Sequence, residues 1–416
     1  VAAHDEIELV ALVSIGLACA FVGGFLAVRC GLSPIIGYLL AGIAVGPFTP
    51  GFVGEAHLAA QLAEIGVILL MFGVGMHFSV ADLWAVRSIA LPGAIIQILV
   101  ATAMGTGIGL LWGWPWGGGI VFGLALSVAS TVVLLRGLES LGMVGHPDGK
   151  IAIGWLIVED LAMVLALVLL PALAGHLGAT PAHGTGPDNL WLSLAWTLAK
   201  VAVFIGLMLM AGTRVFPWLL RQVDRTGSRE LFTLAVVGLA LGVAFGSAKL
   251  FGVSFALGAF FAGVVINRSD LNHRAATYLQ PLQDTFGVLF FVAVGMLFDP
   301  SVLLRQPLQV LGVVAIIIIG KSLAACAIVL ALRRPLSTAL VVSAALAQIG
   351  EFSFILAALG LNLGLLPPPA QNLILAGALL SISLNPLVFF VALKLNRTPA
   401  KPFPESLPPG GVAGRK

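Results

Sequence analysis

Long apolar runs, cut by short clusters of charge, proline and glycine, fill most of the chain. A helix needs about 20 apolar residues to cross the hydrocarbon of a bilayer. Reading the runs between breaks predicts thirteen spans, near 7–28, 32–47, 60–77, 89–112, 117–139, 150–174, 190–213, 230–247, 250–267, 282–298, 308–332, 337–362 and 371–394. The second and ninth are short and interrupted by glycine and proline. The pattern predicts an all-α polytopic membrane protein.

Two stretches recur. GLSPIIGYLLAG (31–42) matches GVSFALGAFFAG (252–263) at an offset of 221, and GVILLMFGVGMHF (66–78) matches GVLFFVAVGMLFD (287–299) with one gap. The displacement is seven spans, an odd number, so the halves point in opposite directions. Inverted repeats of this kind build many secondary transporters. The expected organisation is a transmembrane domain over 1–396. It holds repeat one at about 7–174, a linker helix at about 190–213 and repeat two at about 230–394. A Pro/Gly-rich tail follows over 397–416.

Composition sharpens this picture. The chain is 59% hydrophobic and 9% charged, against about 25% charged in soluble domains. A net charge of +3 without a basic-aromatic tract excludes a nucleic-acid partner. Cys19, Cys30 and Cys326 form no C-x-x-C pair, and the seven histidines lack metal-ligand spacing. No cleavable signal peptide is evident, and a chain beginning at Val is expected to be trimmed. With the N-terminus outside and the C-terminus in the cytosol, 17 of the 21 basic residues fall in inner connections or the inner tail, as the positive-inside rule requires.

Ionisable residues deep in spans come next, because each charge at a helix centre costs about 2.5–3.5 kcal/mol on insertion scales. Span six, GWLIVEDLAMVLALVLLP, carries Glu159 and Asp160. Adjacent residues on a helix point about 100° apart, so one acid can face a lysine while the other faces an ion. Lys321 in span eleven is the expected partner, in an ion pair that breaks when a cation binds. Span five places Ser127, Ser130 and Thr131 at its middle, and span twelve places Ser343, Gln348, Gly350 and Glu351 there. Polar residues with glycine at equivalent places suggest helices broken near the midplane, whose free ends bind ions. Glu351 is expected to neutralise the positive N-terminal ends of such helices. Lys200 lies in span seven, and Asn385 with Pro386 marks a kink in span thirteen. The glycine motifs GVGM, GTGIG and GWPWGGG lack the strand and helix that a dinucleotide site needs. No potassium-filter motif supports a channel, and no nucleophile, base or metal set supports a membrane enzyme. These residues point to a carboxylate that takes proton and cation in turn.

GYLLAGIAVGP, AEIGVILLMFGVGM, IGWLIVEDLAMV, GKSLAA and AQIGEFSFILA together resemble the Kef-type branch of the monovalent cation:proton antiporter-2 family, over residues 7 to about 396. The resemblance implies exchange of a monovalent cation, K⁺ ahead of Na⁺, for H⁺, with a gated K⁺ efflux pathway or Na⁺/H⁺ exchange as the alternatives. It implies a homodimer in the bacterial inner membrane. A six-helix core would carry the ion past a scaffold, with spans five and twelve broken and crossed. Asp160 stands where the family has its ion- and proton-binding aspartate. Glu159 stands where relatives have Asp, Asn or Gln, an acid there resembling the electrogenic members. Lys321 matches the family's core lysine and Glu351 the acid of the second broken helix. Ser130 and Thr131 would line the site, with Gln348 and Ser127 tuning it. No cofactor is expected in this chain. A nucleotide would bind only in a cytosolic regulatory domain of the full-length protein.

Overall fold

The structure, a computed structural model, describes residues 2–49, 56–77, 80–179 and 190–395. The expected tail at 397–416 lies outside the described residues. Among the described residues all regular structure is helical. The first half contains α1 (Ala2–Arg29), α2 (Pro34–Val45), α3 (Ala56–His77), α4 (Val80–Leu111), α5 (Trp116–Ser127), α6 (Thr131–Ser140) and α7 (Pro147–Leu173). A π turn, Met208–Gly212, joins α8 (Leu190–Leu207) to α9 (Thr213–Asp224). The second half contains α10 (Arg229–Gly246), α11 (Phe255–Asn267), α12 (Asn272–Met296), α13 (Val302–Arg305), α14 (Pro307–Ala315), α15 (Lys321–Ala331), α16 (Leu336–Leu346), α17 (Glu351–Asn362) and α18 (Pro368–Leu395). Two more π turns, Ser247–Phe251 and Ile316–Gly320, extend α10 and join α14 to α15.

By length and composition ten of these helical runs can cross a membrane, or eleven if the bent pair α16–α17 is one span. The other two of the thirteen expected spans correspond to α2 and α11, of 12 and 13 residues. At 1.5 Å per residue they are only about 18–20 Å long, short of a hydrocarbon core about 30 Å thick. Their starts are written locally. Ser33 precedes Pro34 at the first helical position of α2, where a missing N–H costs nothing. Ser254 Oγ accepts the N–H of Leu257 at the start of α11. Just before it, Gly252 reverses the chain at φ 66°.

The helices sort into two packed groups. In one, α1, α2 and α3 pack with α10, α11 and α12; in the other, α4 to α7 pack with α14 to α18. Close backbone approach holds the first group. A Cβ at Gly42 of α2 would lie 2.9 Å from the Cα of Gly295 in α12. Bulky residues there would separate the two helices, and small residues let membrane helices touch. Gly42→Leu is expected to cost about 1–3 kcal/mol of overpacking strain. The check is a lower thermal unfolding midpoint in detergent; an unchanged midpoint contradicts this packing.

The second group contains two interrupted helices. Pro115 opens α5 and Pro335 opens α16, both in extended conformation or close to it. The first run stops for Val128–Ser130, and Ser130 then caps α6 by accepting the N–H of Val133 at 3.4 Å. The second stops for Ala347–Gly350, and α16 and α17 meet at a bend of 48°. A Cβ at Gly350 would lie 2.6 Å from the Cα of Ser130. The two interruptions therefore touch, and glycine is what lets them.

Candidate functional site

Backbone groups left free at a helix break must find partners when water is absent. Here side chains supply them. The Gln348 amide pairs with both backbone groups of Ser130: its Oε1 accepts the Ser130 N–H at 2.9 Å, and its Nε2 donates to the Ser130 carbonyl at 3.1 Å. Glu159 Oε2 accepts the N–H of Ala129 at 2.9 Å. Lys321 Nζ donates to the carbonyl of Gln348 at 3.0 Å. Asn385 Nδ2 donates to the carbonyl of Ala344 at 2.9 Å, near the end of α16. The expected kink residue Asn385 thus acts as a cap.

The two adjacent acids of α7 diverge, as the helical angle requires. Glu159 turns to the first break, fully buried, with Lys321 acting on it by charge. The expected direct ion pair is not formed. Among the described residues the ion pair of permanently charged groups within 4.0 Å is Arg274–Asp224. Glu159 and Lys321 instead each hold one break, through an amide and a carbonyl, and they balance one another at longer range. The reason is geometric: a break leaves unpaired backbone groups within reach of each charge, and a hydrogen bond from a charged group to such an atom is strong.

Asp160 turns the other way. It is 6% exposed, Oδ2 accepts from Thr131 Oγ1 at 3.3 Å, and Oδ1 has no hydrogen-bond partner. It lines a cavity of about 330 Å³ together with Thr131 and Glu351. Glu351 is the first residue of α17, and Ser130 Oγ donates to its Oε2 at 3.1 Å. Its carboxylate also lies against the backbone amides of Thr131 and of Glu351 itself. The N-terminal ends of α6 and α17 thus converge on one acid, and a helix N-terminus favours negative charge. Ser130 and Glu351 stand 221 positions apart, the offset of the sequence repeat. Ser127 is a back-bonded residue: its Oγ donates to the Leu124 carbonyl at 2.8 Å. Lys200 lies outside this site, its ammonium 5.5 Å from the ring centre of Trp196.

A second cavity, of about 410 Å³, lies along the same seam between the two helix groups. Glu64, Ser254, Asn362 and Gln371 line it. Phe290 and Phe354 lie in its wall with ring centres 6.4 Å apart, whereas Leu70 and Phe260 belong to the cavity that holds Asp160. The two hollows share no lining residue.

Two residues of this region stand outside the sequence expectations. Gln97 in α4 is fully buried and donates from Nε2 to the Ser127 carbonyl at 3.0 Å, at the end of α5. The signal was present: a lone amide in the apolar run GAIIQILV. Gln283 of α12 lines the Asp160 cavity. Its neighbours in TYLQPLQDTFG are polar, so nothing in the sequence pattern set it apart.

Comparison with known proteins gives the family. The family model described as "Sodium/hydrogen exchanger, transmembrane" matches residues 17–395. A protein of Escherichia coli (strain K12) named "Putative cation/proton antiporter YbaL" is 57% identical over 386 residues, 93% of this chain and 69% of its own length. The K(+) efflux antiporter 4 of Arabidopsis thaliana is 34% identical over 387 residues, 92% of this chain and 64% of its own. The sodium proton antiporter MjNhaP1 from Methanocaldococcus jannaschii, solved at pH 8, shares the fold with a TM-score of 0.73 at 16% identity. That match covers 94% of this chain and 99% of the other. The chain belongs to the sodium/hydrogen exchanger family of cation/proton antiporters, and so is a membrane transporter rather than an enzyme.

Proposed function

We propose that the chain exchanges a monovalent cation, K⁺ ahead of Na⁺, for H⁺ by alternating access, with Asp160 as the group that takes either. The observation that carries this reading is the unpartnered Asp160 Oδ1, buried in the membrane domain at the wall of a 330 Å³ cavity. A buried polar atom without a partner costs about 1–3 kcal/mol, and a cation or a proton would remove that cost. Thr131, Ser130 and Glu351 supply oxygens around it. Glu159, Lys321 and Gln348 hold the breaks in place, so that the ion-facing groups are positioned before the ion arrives. The preference for K⁺ rests on relatives named as K(+) efflux antiporters.

Two separate cavities along the seam between the helix groups support alternating access. The group α4–α7 with α14–α18 would be the moving core, and α1–α3 with α10–α12 the scaffold. Thirteen crossings, with α2 and α11 as short spans, would make the halves inverted repeats, joined by the α8–α9 helix. The charge pattern supports an N-terminus outside and a C-terminus in the cytosol of a bacterial cell, and the family resemblance supports a homodimer.

The test is exchange in proteoliposomes with an acidic lumen. K⁺ or Na⁺ is added outside and an internal pH dye is followed. The expected outcome is alkalinisation by K⁺ at lower concentration than by Na⁺. A stronger response to Na⁺ would overturn the cation assignment, and no response to either would overturn exchange.

A further inference from the structure

The cavity at Asp160 has two unlike walls. The wall formed by α6, α7 and α17 brings Thr131, Asp160 and Glu351. The facing wall brings Leu70, Met71, Gly73 and Val74 from α3, Phe260 from α11 and Gln283 from α12. Gln283 is the single polar side chain among the residues of that facing wall. Its place is made for it: a Cβ on Gly73 would run into the Gln283 amide. The adjacent Asp284 is exposed and interacts by charge with Arg136 of α6, so this part of α12 looks across the seam.

We propose that Gln283 is a specificity-determining residue, whose amide oxygen coordinates the monovalent cation from the scaffold wall while Asp160 holds it from the core wall. The proposal rests on the exchange reading above. A cation moving from water to a carboxylate loses part of its hydration shell, and neutral oxygens replace those waters well. Every other oxygen-bearing side chain in the cavity travels with the core, so the facing amide alone changes position relative to Asp160 when the two groups slide. It therefore contributes to cation affinity on the side where this cavity opens. It takes no part in carrying the proton, because an amide does not titrate.

The experiment compares the parent, Gln283→Leu, Gly73→Ala and Asp160→Asn in proteoliposomes, over a series of K⁺ and Na⁺ concentrations. Size-exclusion profiles identify any variant that fails to fold. Gln283→Leu is expected to raise the cation KM about tenfold with the maximal rate little changed, the pattern of a lost binding contact. The ratio of K⁺ to Na⁺ response is expected to shift as well. Gly73→Ala, which displaces the amide without removing it, is expected to move KM in the same direction. An unchanged KM and ion ratio in both folded variants, while the parent exchanges and Asp160→Asn does not, would overturn the role of Gln283 and leave the exchange reading standing. Exchange by Asp160→Asn, or none by the parent, would overturn both.

Discussion

Asp160→Asn is expected to abolish cation-driven proton exchange, with a fall of about 100-fold or more. Asparagine keeps the size of the side chain and can still accept from the Thr131 hydroxyl, which now lies 3.3 Å from Asp160 Oδ2. It cannot bind a proton near neutral pH, and it offers the cation no countercharge. A loss of about 2.7 kcal/mol of stabilisation corresponds to that factor, and removing a full charge from a buried site reaches it readily. The variant should run as the parent does in size exclusion, because Asp160 holds neither helix break. The pH-dye assay in proteoliposomes is the measurement. Exchange at half the parent rate or better would mean that the carrier is another group.

The second large effect concerns stability. Lys321→Met is expected to destabilise the protein by about 3–5 kcal/mol, the range for breaking a buried charge pair by removing one partner. Lys321 is fully buried, donates to the Gln348 carbonyl at 3.0 Å and balances Glu159 by charge. Methionine fills similar volume but leaves that carbonyl without a donor and Glu159 without a counterion. Adding Glu159→Gln should return part of the loss, since the amide still accepts the Ala129 N–H without carrying charge. Thermal unfolding in detergent of the parent, both single variants and the double variant closes the cycle. If the double variant falls by the sum of the two single losses, Glu159 and Lys321 are energetically independent and this account of the core fails.

Much of the architecture was legible along the chain. Run length and the near absence of charge in the runs define a membrane protein, because the bilayer permits only helices or closed barrels and apolar runs of this length suit helices. Glu159, Asp160, Lys321 and Glu351 stood out because charge in an apolar run is costly. The serine and glycine clusters marked both interruptions. The span count was less legible. α2 and α11 are apolar but only 12 and 13 residues long, and composition does not state whether a short helix crosses.

Partnership was the other hidden layer. Opposite charges in neighbouring spans suggested an ion pair between Glu159 and Lys321, yet each contacts the backbone of a break. Gln97, Gln348 and Asn385 do likewise. Which carbonyl or amide an interrupted helix leaves free depends on where its last turn ends, and which side chain reaches it depends on a helix distant in sequence. Gln283 shows the same limit: only the packing of α12 against α3 places it across the cavity from Asp160.

The sequence by itself determined that this chain is a helical membrane protein with buried acids and a lysine in its spans. The reason is that apolar periodicity and the cost of buried charge are local properties of a run. The tertiary structure decided which acid faces the cavity, which charges hold the breaks and which wall supplies the facing amide. Those depend on contacts between positions up to 221 residues apart, and no local pattern encodes the angle at which two helices meet.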